Sequence, residues 1–250
     1  MGSGMDLLIK GAQQIGIHLG EVEQEKFRLY AELIEDWSKK INLVSYQSEE
    51  ELYRSHFLDS LFCGSGYEFQ KAEKVIDLGS GAGFPAIPLK ICFPNLQFWL
   101  VESRNKRCGF LQRVIEELNL DDCFVVWDRI EKIAHQKEYR GTIDCAVARA
   151  VAPLSVLLEL GLPFLRRKGV LIALKGHAVI EEIKTAGRAL EILGGAVDQV
   201  IPYYFPGEKG RNVVVVYKRE GNSPRQVSQE AGYSSKKTIM SVEGAVFSGI

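Results

Sequence analysis

The sequence of 250 residues lacks an apolar run of about 18 residues, the length that a membrane-spanning helix needs. It also begins without a basic segment followed by an apolar one, so we expect no secretory signal peptide. Its five cysteines are scattered without a Cys-x-x-Cys pair, and its four histidines are isolated. We therefore predict no disulfide framework and no metal, and we expect a cytoplasmic protein that does not bind a membrane.

The sequence also lacks net charge, because 31 Lys and Arg residues balance 32 Asp and Glu residues to give a charge of −1. The overall electrostatic field of the protein would therefore not attract a nucleic acid, and such a partner would have to bind to local clusters of basic residues. Each candidate cluster is more typical of a solvated surface than of a phosphate contact. The candidates are Arg104/Lys106/Arg107, Arg166/Arg167/Lys168 and Lys209/Arg211.

Glycine, in contrast, is concentrated in one stretch, where it alternates at positions 79, 81 and 83. The preceding segment, Val75–Leu78, is apolar enough for a buried strand, and glycine permits a tight bend directly after it. Such a bend can present main-chain N–H groups to a nucleotide-like ligand. A phosphate-binding fingerprint would require a third glycine where Phe84 stands. The alternating spacing instead resembles the S-adenosylmethionine loop of class I methyltransferases.

A second apolar run, Leu96–Val101, ends at the acidic residue Glu102. A carboxylate at the tip of the neighbouring strand can accept hydrogen bonds from both hydroxyls of a ribose. Together with the glycine bend, Glu102 favours a cofactor that contains adenosine. The alternative is an acid that only solvates a strand end.

The first part of the chain reads as helices, at residues 5–19, 21–39 and from Ser48 to a possible hinge at Gly64–Gly66. In the second helix, large apolar residues recur at steps of three and four, which predicts one buried face. We predict a helical domain over residues 1–66.

From residue 67 to residue 220 the pattern changes to strands that alternate with helices, which predicts a mostly parallel sheet covered on both faces. The last two strands, 197–203 and 212–218, are separated by too few residues for a crossover helix and should be antiparallel. This predicts an α/β fold of the Rossmann-like class I methyltransferase type, with seven strands. Residues 221–250 are polar without periodicity and are predicted to form a C-terminal tail. The other expected strands are 74–78, 96–102, 124–127, 143–147 and 170–174, and the expected helices are 85–92, 105–119, 153–165 and 178–193.

Two motifs that are typical of particular methyl acceptors are missing from the sequence. Cytosine C5 enzymes need an attacking thiolate, commonly in a Pro-Cys pair, and the sequence has none. Enzymes for exocyclic amines commonly carry an Asn/Asp-Pro-Pro-Tyr/Phe segment after strand four, where this chain has Ala148–Pro153. An acceptor with its own free lone pair, such as guanine N7, would need neither device and no general base.

Several motifs occur in the order typical of one family. On these residues, the chain resembles the bacterial 16S ribosomal RNA guanine-N7 methyltransferase G family, also called glucose-inhibited division protein B, over about residues 20–220. One departure is Ala86, where the family usually has Gly. The motifs are Asn42–Ser45, His56–Leu61, Asp77–Leu89, Lys106-Arg107 with Phe110-Leu111, Ala148–Ala150 and Leu174–Gly176.

The resemblance implies transfer of a methyl group from S-adenosyl-L-methionine to N7 of a guanine in the 16S rRNA of the small ribosomal subunit, at position 527 of that RNA. S-adenosyl-L-homocysteine would be the product, no metal would take part, and the protein would act as a monomer. The positions that match the family's cofactor-binding residues are Gly79, Gly81, Phe84, Glu102, Ser103, Ile130, Glu131 and Arg149.

Two residues are candidates for orienting the RNA substrate. Arg149 follows strand four, where the sheet edge opens onto the ligand crevice, and it is hypothesised to donate to guanine O6 or to a phosphate. Lys175, after strand five, is a weaker candidate for a backbone phosphate, while His56 and Asn42 are interpreted as structural. Three other functions stay open: a small-molecule N- or O-methyltransferase, a non-catalytic ribosome assembly factor and a nicotinamide-dependent oxidoreductase.

Overall fold

A computed structural model of the protein describes residues 3–205, 208–219, 241–242 and 245–246. Among these residues, seven strands form one sheet, and the order across it is β3-β2-β1-β4-β5-β7-β6. The strands are parallel except β7, which runs antiparallel to both of its neighbours. This confirms the fold predicted from the sequence, including its reversed terminal strand. In chain order the strands are β1 (Lys74–Leu78), β2 (Gln97–Glu102), β3 (Cys123–Trp127), β4 (Ile143–Arg149), β5 (Leu165–Lys175), β6 (Gly195–Tyr203) and β7 (Arg211–Lys218).

Helices precede the sheet and then cover both of its faces. A π-helical segment, Tyr53–Leu58, continues directly from α3, and a 3₁₀ turn, Phe69–Lys71, leads into β1. The α-helices are α1 (Ser3–Gln14), α2 (Glu21–Ser38), α3 (Glu49–Leu52), α4 (Asp59–Leu61), α5 (Cys63–Gly66), α6 (Ala86–Cys92), α7 (Asn105–Glu117), α8 (Ile130–Ile133), α9 (Leu154–Gly161), α10 (Val179–Thr185) and α11 (Gly187–Leu193).

Several predicted elements differ from the observed ones in length. The helix expected over 153–165 ends at Gly161, and β5, expected over 170–174, already begins at Leu165. The first helix of the chain ends at Gln14 because Gly16 takes a φ of +78°, a left-handed conformation that stops the helix. The predicted helix over 178–193 is divided at Ala186 into two short helices, α10 and α11.

The glycine segment predicted as a hinge instead forms α5 and packs closely on the sheet. A Cβ atom added at Gly66 would lie 2.6 Å from Val215 Cγ2 in β7. The glycine therefore allows the helix and the strand to approach each other, and we find no hinge there.

One hydrophobic core extends from the N-terminal helices to one face of the sheet. Phe27 and Tyr30 of α2 and Phe57 of the π-helical segment are fully buried against sheet-side residues such as Val75 and Leu100. A second core on the opposite face contains residues of α9 and α10. The division into domains at residue 66 stays a prediction, and a common core joins the two predicted parts.

The predicted C-terminal tail lies mostly outside the described residues. Within it, β8 (Ser241–Val242) pairs in antiparallel fashion with β9 (Ala245–Val246). Among the described residues, no helix is both long enough and apolar enough to cross a bilayer.

Candidate functional site

The alternating glycines form a left-handed bend directly after β1. Gly79, Gly81 and Gly83 have φ angles of +75°, +59° and +94°, which residues with a Cβ atom rarely adopt. The bend is closed by the amide of Gly83, which donates to the carbonyl of Ser80 over 2.7 Å. The spacing of glycines in the sequence is therefore a requirement of this backbone path.

Glu102, at the end of β2, lies against the bend. Its Oε2 accepts a hydrogen bond from the Gly81 amide at 3.0 Å, and its Oε1 accepts one from the Arg104 amide at 2.7 Å. Arg107 Nη1 is 3.9 Å from Oε2. The carboxylate is only 5% exposed and is held in a fixed orientation at the carboxyl edge of the sheet. The two sequence signals thus come together in space.

Ile130 flanks the same bend, whereas Ser103 and Glu131 are exposed beside it. A Cβ atom added at Gly79 would lie 3.2 Å from Val151 Cγ2 and 3.9 Å from Ile130 Cδ1, so both side chains border the glycine. The Ser103 carbonyl accepts a hydrogen bond from the indole Nε1 of Trp127, at the end of β3, over 3.1 Å. Their roles as cofactor contacts stay predictions.

The bend is also held from outside by α2, which the sequence did not reveal. The hydroxyl of Tyr30 donates to the carbonyl of Ala82, and its ring lies 5.7 Å from that of Phe84. Phe84 is 5% exposed and also contacts the rings of His56 and Phe57. In the sequence, Tyr30 is one member of an apolar stripe, and periodicity gives no sign of its bond to the bend.

Arg149, at the end of β4, connects the bend with the N-terminal helices. Its guanidinium carbon lies 4.7 Å from the centre of the Phe84 ring. Its Nη1 donates to Asp59 Oδ2 at 2.9 Å and to the Ser55 carbonyl at 3.1 Å, and its Nη2 donates to His56 Nδ1 at 2.7 Å. The guanidinium is therefore held in place between Phe84 and the helical segment that contains Ser55, His56 and Asp59.

Asp59 connects Arg149 with the last two strands of the sheet, β6 and β7. Its Oδ1 accepts from the hydroxyl of Tyr203 at 2.7 Å and forms an ion pair with Arg211 Nη1 at 2.7 Å. The carboxylate is 2% exposed, so these charge-assisted bonds offset its desolvation. The partners of Asp59 are 90 or more positions away in the chain, so the sequence carries no sign of these bonds.

His56 is neutral in this network. Because Arg149 donates to Nδ1, the proton must be on Nε2, which lies 3.3 Å from the Ser45 carbonyl. Burial, and then the positive charge of Arg149, lower the pKa of His56 to about 4. The unfolded chain therefore binds this proton near pH 6.5, while the folded protein binds it only near pH 4.

Protonation of His56 should make the protein less stable in acid. Between pH 6.5 and pH 4 the unfolded state gains a proton that the folded state does not, so the folded protein should lose roughly 3 kcal/mol of stability over this range. In His56→Gln, the side-chain oxygen can still accept from Arg149 but does not titrate, so this loss should disappear. Urea unfolding of both proteins from pH 4 to pH 7 measures the difference, with His18→Gln as a surface control. Parallel stability curves for wild type and His56→Gln would contradict the assignment.

Lys175 is already engaged by the protein. Its Nζ donates to the Ala152 carbonyl at 2.6 Å and to Glu182 Oε2 at 2.7 Å, and its side chain is 9% exposed. The same Glu182 oxygen accepts from the Leu154 amide at 2.8 Å, at the start of α9. Lys175 thus fixes the segment after β4, and its predicted contact with a phosphate would compete with these bonds.

A cavity of about 1040 Å³ opens beside Arg149, at the carboxyl ends of β4 and β5. Its wall contains charges of both signs and comes from the N-terminal helices as well as from the sheet. The residues that matter here are Ser45, His56, Asp59, Lys175, Glu182 and Arg211. Arg149 and Val151 line the cavity, and Val151 also borders Gly79, so the cavity lies next to the glycine bend.

Asp77, the last acid before the bend, is fully buried, and neither of its carboxyl oxygens has a hydrogen-bond partner among the described residues. Burial raises the pKa of Asp77 to about 7. No group of three or more His, Cys, Asp or Glu side chains that could hold a metal ion occurs in the described part of the chain.

The three basic clusters lie in different places. Arg166 forms an ion pair with Asp144, whose other oxygen accepts from the amides of Glu73 and Lys74 at the amino end of β1, away from the bend. The cluster at Arg104 to Arg107 lies beside Glu102, and Arg211 lies in the cavity wall. Only the last two could meet a substrate at this edge of the sheet.

The chain is similar to a known family over most of its length. The profile described as rRNA small subunit methyltransferase G matches residues 23–208. Ribosomal RNA small subunit methyltransferase G of Clostridium botulinum (strain Eklund 17B / Type B) is 39% identical over 234 residues, which cover 94% of this chain and 98% of the relative. The protein of the same name from Bacillus licheniformis is 37% identical over 229 residues, which cover 92% and 96%.

Among solved structures, cofactor-bound Rv0187 from MTB aligns with a TM-score of 0.56 and 14% identity, over 79% of this chain and 91% of that one, and this likeness concerns the fold alone. The family profile and the relatives confirm the resemblance noted in the sequence. The chain therefore belongs to the rRNA small subunit methyltransferase G family.

Proposed function

We propose that this protein transfers the methyl group of S-adenosylmethionine to N7 of a guanine in the 16S rRNA of the small ribosomal subunit. The observation that carries the proposal is that Arg149 lies over Phe84 at the end of the glycine bend, against which Glu102 packs, and also lines a cavity of about 1040 Å³. The bend suits a methyl donor, and the cavity suits an acceptor base. Membership in the family supplies the class of RNA substrate.

The residues at the bend suit S-adenosylmethionine. Glu102 can exchange its bond to the Gly81 amide for the two ribose hydroxyls, and Ile130 offers an apolar contact for the adenine. In its ionised form, the buried carboxylate of Asp77, close before the bend, would favour a ligand that carries a sulfonium. When bound, this cofactor supplies an electrophilic methyl group, and the protein aligns it with the acceptor.

The cavity suits an acceptor that needs no general base. The imidazole of His56 is not available as a general base, because its Nδ1 is bonded to Arg149 and its pKa is about 4. The lining residues in the described part of the chain include no cysteine that could attack a ring carbon. Guanine N7 brings a free lone pair and loses no proton on methylation, so these surroundings are sufficient for it.

The base has to leave its stack to enter the cavity, so the substrate should be an unpaired nucleotide. With a net charge of −1, the protein has little general attraction for RNA, and we infer that it recognises a folded small subunit in the cytoplasm, as a monomer. The guanine at position 527 of that RNA is the acceptor that the family pattern suggests.

The test is transfer of tritium from labelled S-adenosylmethionine to unmodified small subunits, followed by strand cleavage at N7-methylguanine to locate the base. We expect one cleaved position, and weaker labelling of protein-free 16S rRNA than of assembled subunits. Labelling of small molecules in an RNA-free extract instead would indicate a small-molecule methyltransferase. Binding to subunits without formation of S-adenosylhomocysteine would indicate a non-catalytic assembly factor.

A further inference from the structure

Glu182 presents a fixed carboxylate to the cavity from the side of α10. Its Oε2 accepts from Lys175 Nζ at 2.7 Å and from the Leu154 amide at 2.8 Å. No described residue donates to its Oε1, and the side chain is 28% exposed. One oxygen is thus held by the protein, while the other is free to accept a hydrogen bond within the cavity.

The other acids of the cavity wall are less suited to this role. Both oxygens of Glu208 are bonded to arginines, Oε1 to Arg54 at 3.1 Å and Oε2 to Arg211 at 2.7 Å. Asp59 likewise uses both of its oxygens. Glu51 also keeps one oxygen unused, since its Oε2 accepts from the Gln47 amide at 2.7 Å, but that contact is exposed. Glu182 is held instead by two half-buried bonds, and it combines this fixed position with an unused acceptor.

The order of the strands sets where Glu182 lies relative to the donor. The bend follows β1, Arg149 ends β4, and Lys175 ends β5, so the Lys175–Glu182 pair is two strands away from the bend. Two strand spacings are roughly 10 Å, which can hold a purine with a hydrogen bond at its far side. A base that enters the cavity would have one edge towards the donor and the opposite edge towards Glu182.

The chemistry of guanine matches this arrangement. N7 and O6 are acceptors on one edge of the base, while the exocyclic N2 amine is a donor on the other side. If N7 faces the methyl donor, the N2 amine points away from it and needs an acceptor. A carboxylate oxygen is the strongest acceptor that a side chain can offer.

We propose that Glu182 determines specificity for guanine, by accepting a hydrogen bond from the N2 amine at its Oε1. Lys175 and the Leu154 amide act as positioning groups that hold the carboxylate. This inference rests on the proposed function, because it assumes a guanine in the cavity. Adenine and hypoxanthine, which lack the N2 amine, would leave the oxygen without its partner.

The test replaces the acceptor guanine with inosine in small subunits reconstituted from ligated RNA. Inosine keeps N7 and O6 but lacks the N2 amine. With the wild-type enzyme we expect kcat/KM for inosine to be roughly 10- to 100-fold lower than for guanine, the effect of one hydrogen bond to a charged group. In Glu182→Ala this ratio should fall to about one, whatever the overall loss of activity.

Glu181→Ala is the matched control, since Glu181 is the adjacent acid on α10 and is paired with Lys184 at the surface, 3.3 Å away. It should keep the wild-type ratio. Glu182→Gln, which can still accept from the Leu154 amide, should lower the ratio without loss of the fold.

Equal use of guanine and inosine by the wild-type enzyme would overturn the inference, as would an unchanged ratio in Glu182→Ala. In both cases the proposed function would stand, because guanine would still be methylated. Absence of methylation of guanine by the wild-type enzyme would overturn the proposed function itself.

Discussion

Arg149→Ala is expected to slow methylation of small subunits by roughly 10²- to 10³-fold while changing the affinity for S-adenosylmethionine less than tenfold. The magnitude is that of losing one preorganised donor in an active site. In wild type the guanidinium lies over Phe84 and is held by Asp59, Ser55 and His56, so a base that enters as proposed would meet it without reorganisation. Single-turnover rates with saturating subunits measure the first quantity, and calorimetry measures the second.

Two variants make this result specific. Arg149→Lys keeps a positive charge but not the planar fork that bonds Asp59 and His56 together, so it should recover only a small part of the rate. Arg113→Ala removes a surface arginine that is paired with Glu117 on α7 and should leave the rate unchanged. Equal turnover by Arg149→Ala and wild type would show that Arg149 takes no part in the reaction.

Gly83→Ala is expected to destabilise the protein by about 2–5 kcal/mol and to abolish binding of S-adenosylmethionine at ordinary concentrations. The residue has a φ of +94°, which costs an L-residue about 1–2 kcal/mol. The new Cβ atom would also lie 2.5 Å from Ile87 Cγ1 and 2.8 Å from the Tyr30 hydroxyl, and such overpacking costs about 1–3 kcal/mol. To relieve the clash, either α2 or the bend would have to move, and the bend contains the Gly81 amide that donates to Glu102.

Thermal unfolding and calorimetric titration with S-adenosylmethionine measure these two effects. Gly187→Ala is the control, because Gly187 lies at the start of α11 with no atom within 4 Å of an added Cβ. It should leave Tm within a few degrees of wild type, or raise it slightly. Wild-type Tm and donor affinity in Gly83→Ala would contradict the described packing of Tyr30 on the bend.

The parts of the site that the sequence predicted are those set by strand order. Leu78 pairs with Val101, so the residues that follow these two parallel strands emerge at one edge, and the glycines and Glu102 had to be neighbours there. The reversed strand was also predictable, since the segment between β6 and β7 is too short for a crossover. In both cases the inference used only local pattern and chain geometry.

The parts that the sequence did not predict depend on contacts between distant segments. Tyr30 and Asp59 occur in helices whose periodicity shows which face is buried but not which carbonyl or guanidinium meets that face. The division at Ala186 was marked only by the following glycine, and glycine at such a position is compatible with a continuous helix. Lys175 was expected to be free for a phosphate because sequence does not show its bond to Glu182.

Strand β7 enters the edge of the sheet where β4 and β5 finish, because its direction is opposite to theirs. Arg211 therefore reaches the cavity from the beginning of a strand, and Tyr203 reaches it from the end of the preceding one. Glu208, in the segment that joins them, lines the cavity that we propose for the RNA base, and β7 is three strand positions away from β1 and its glycines. A change of length or charge in this connection is therefore expected to alter the affinity for RNA without altering the affinity for S-adenosylmethionine.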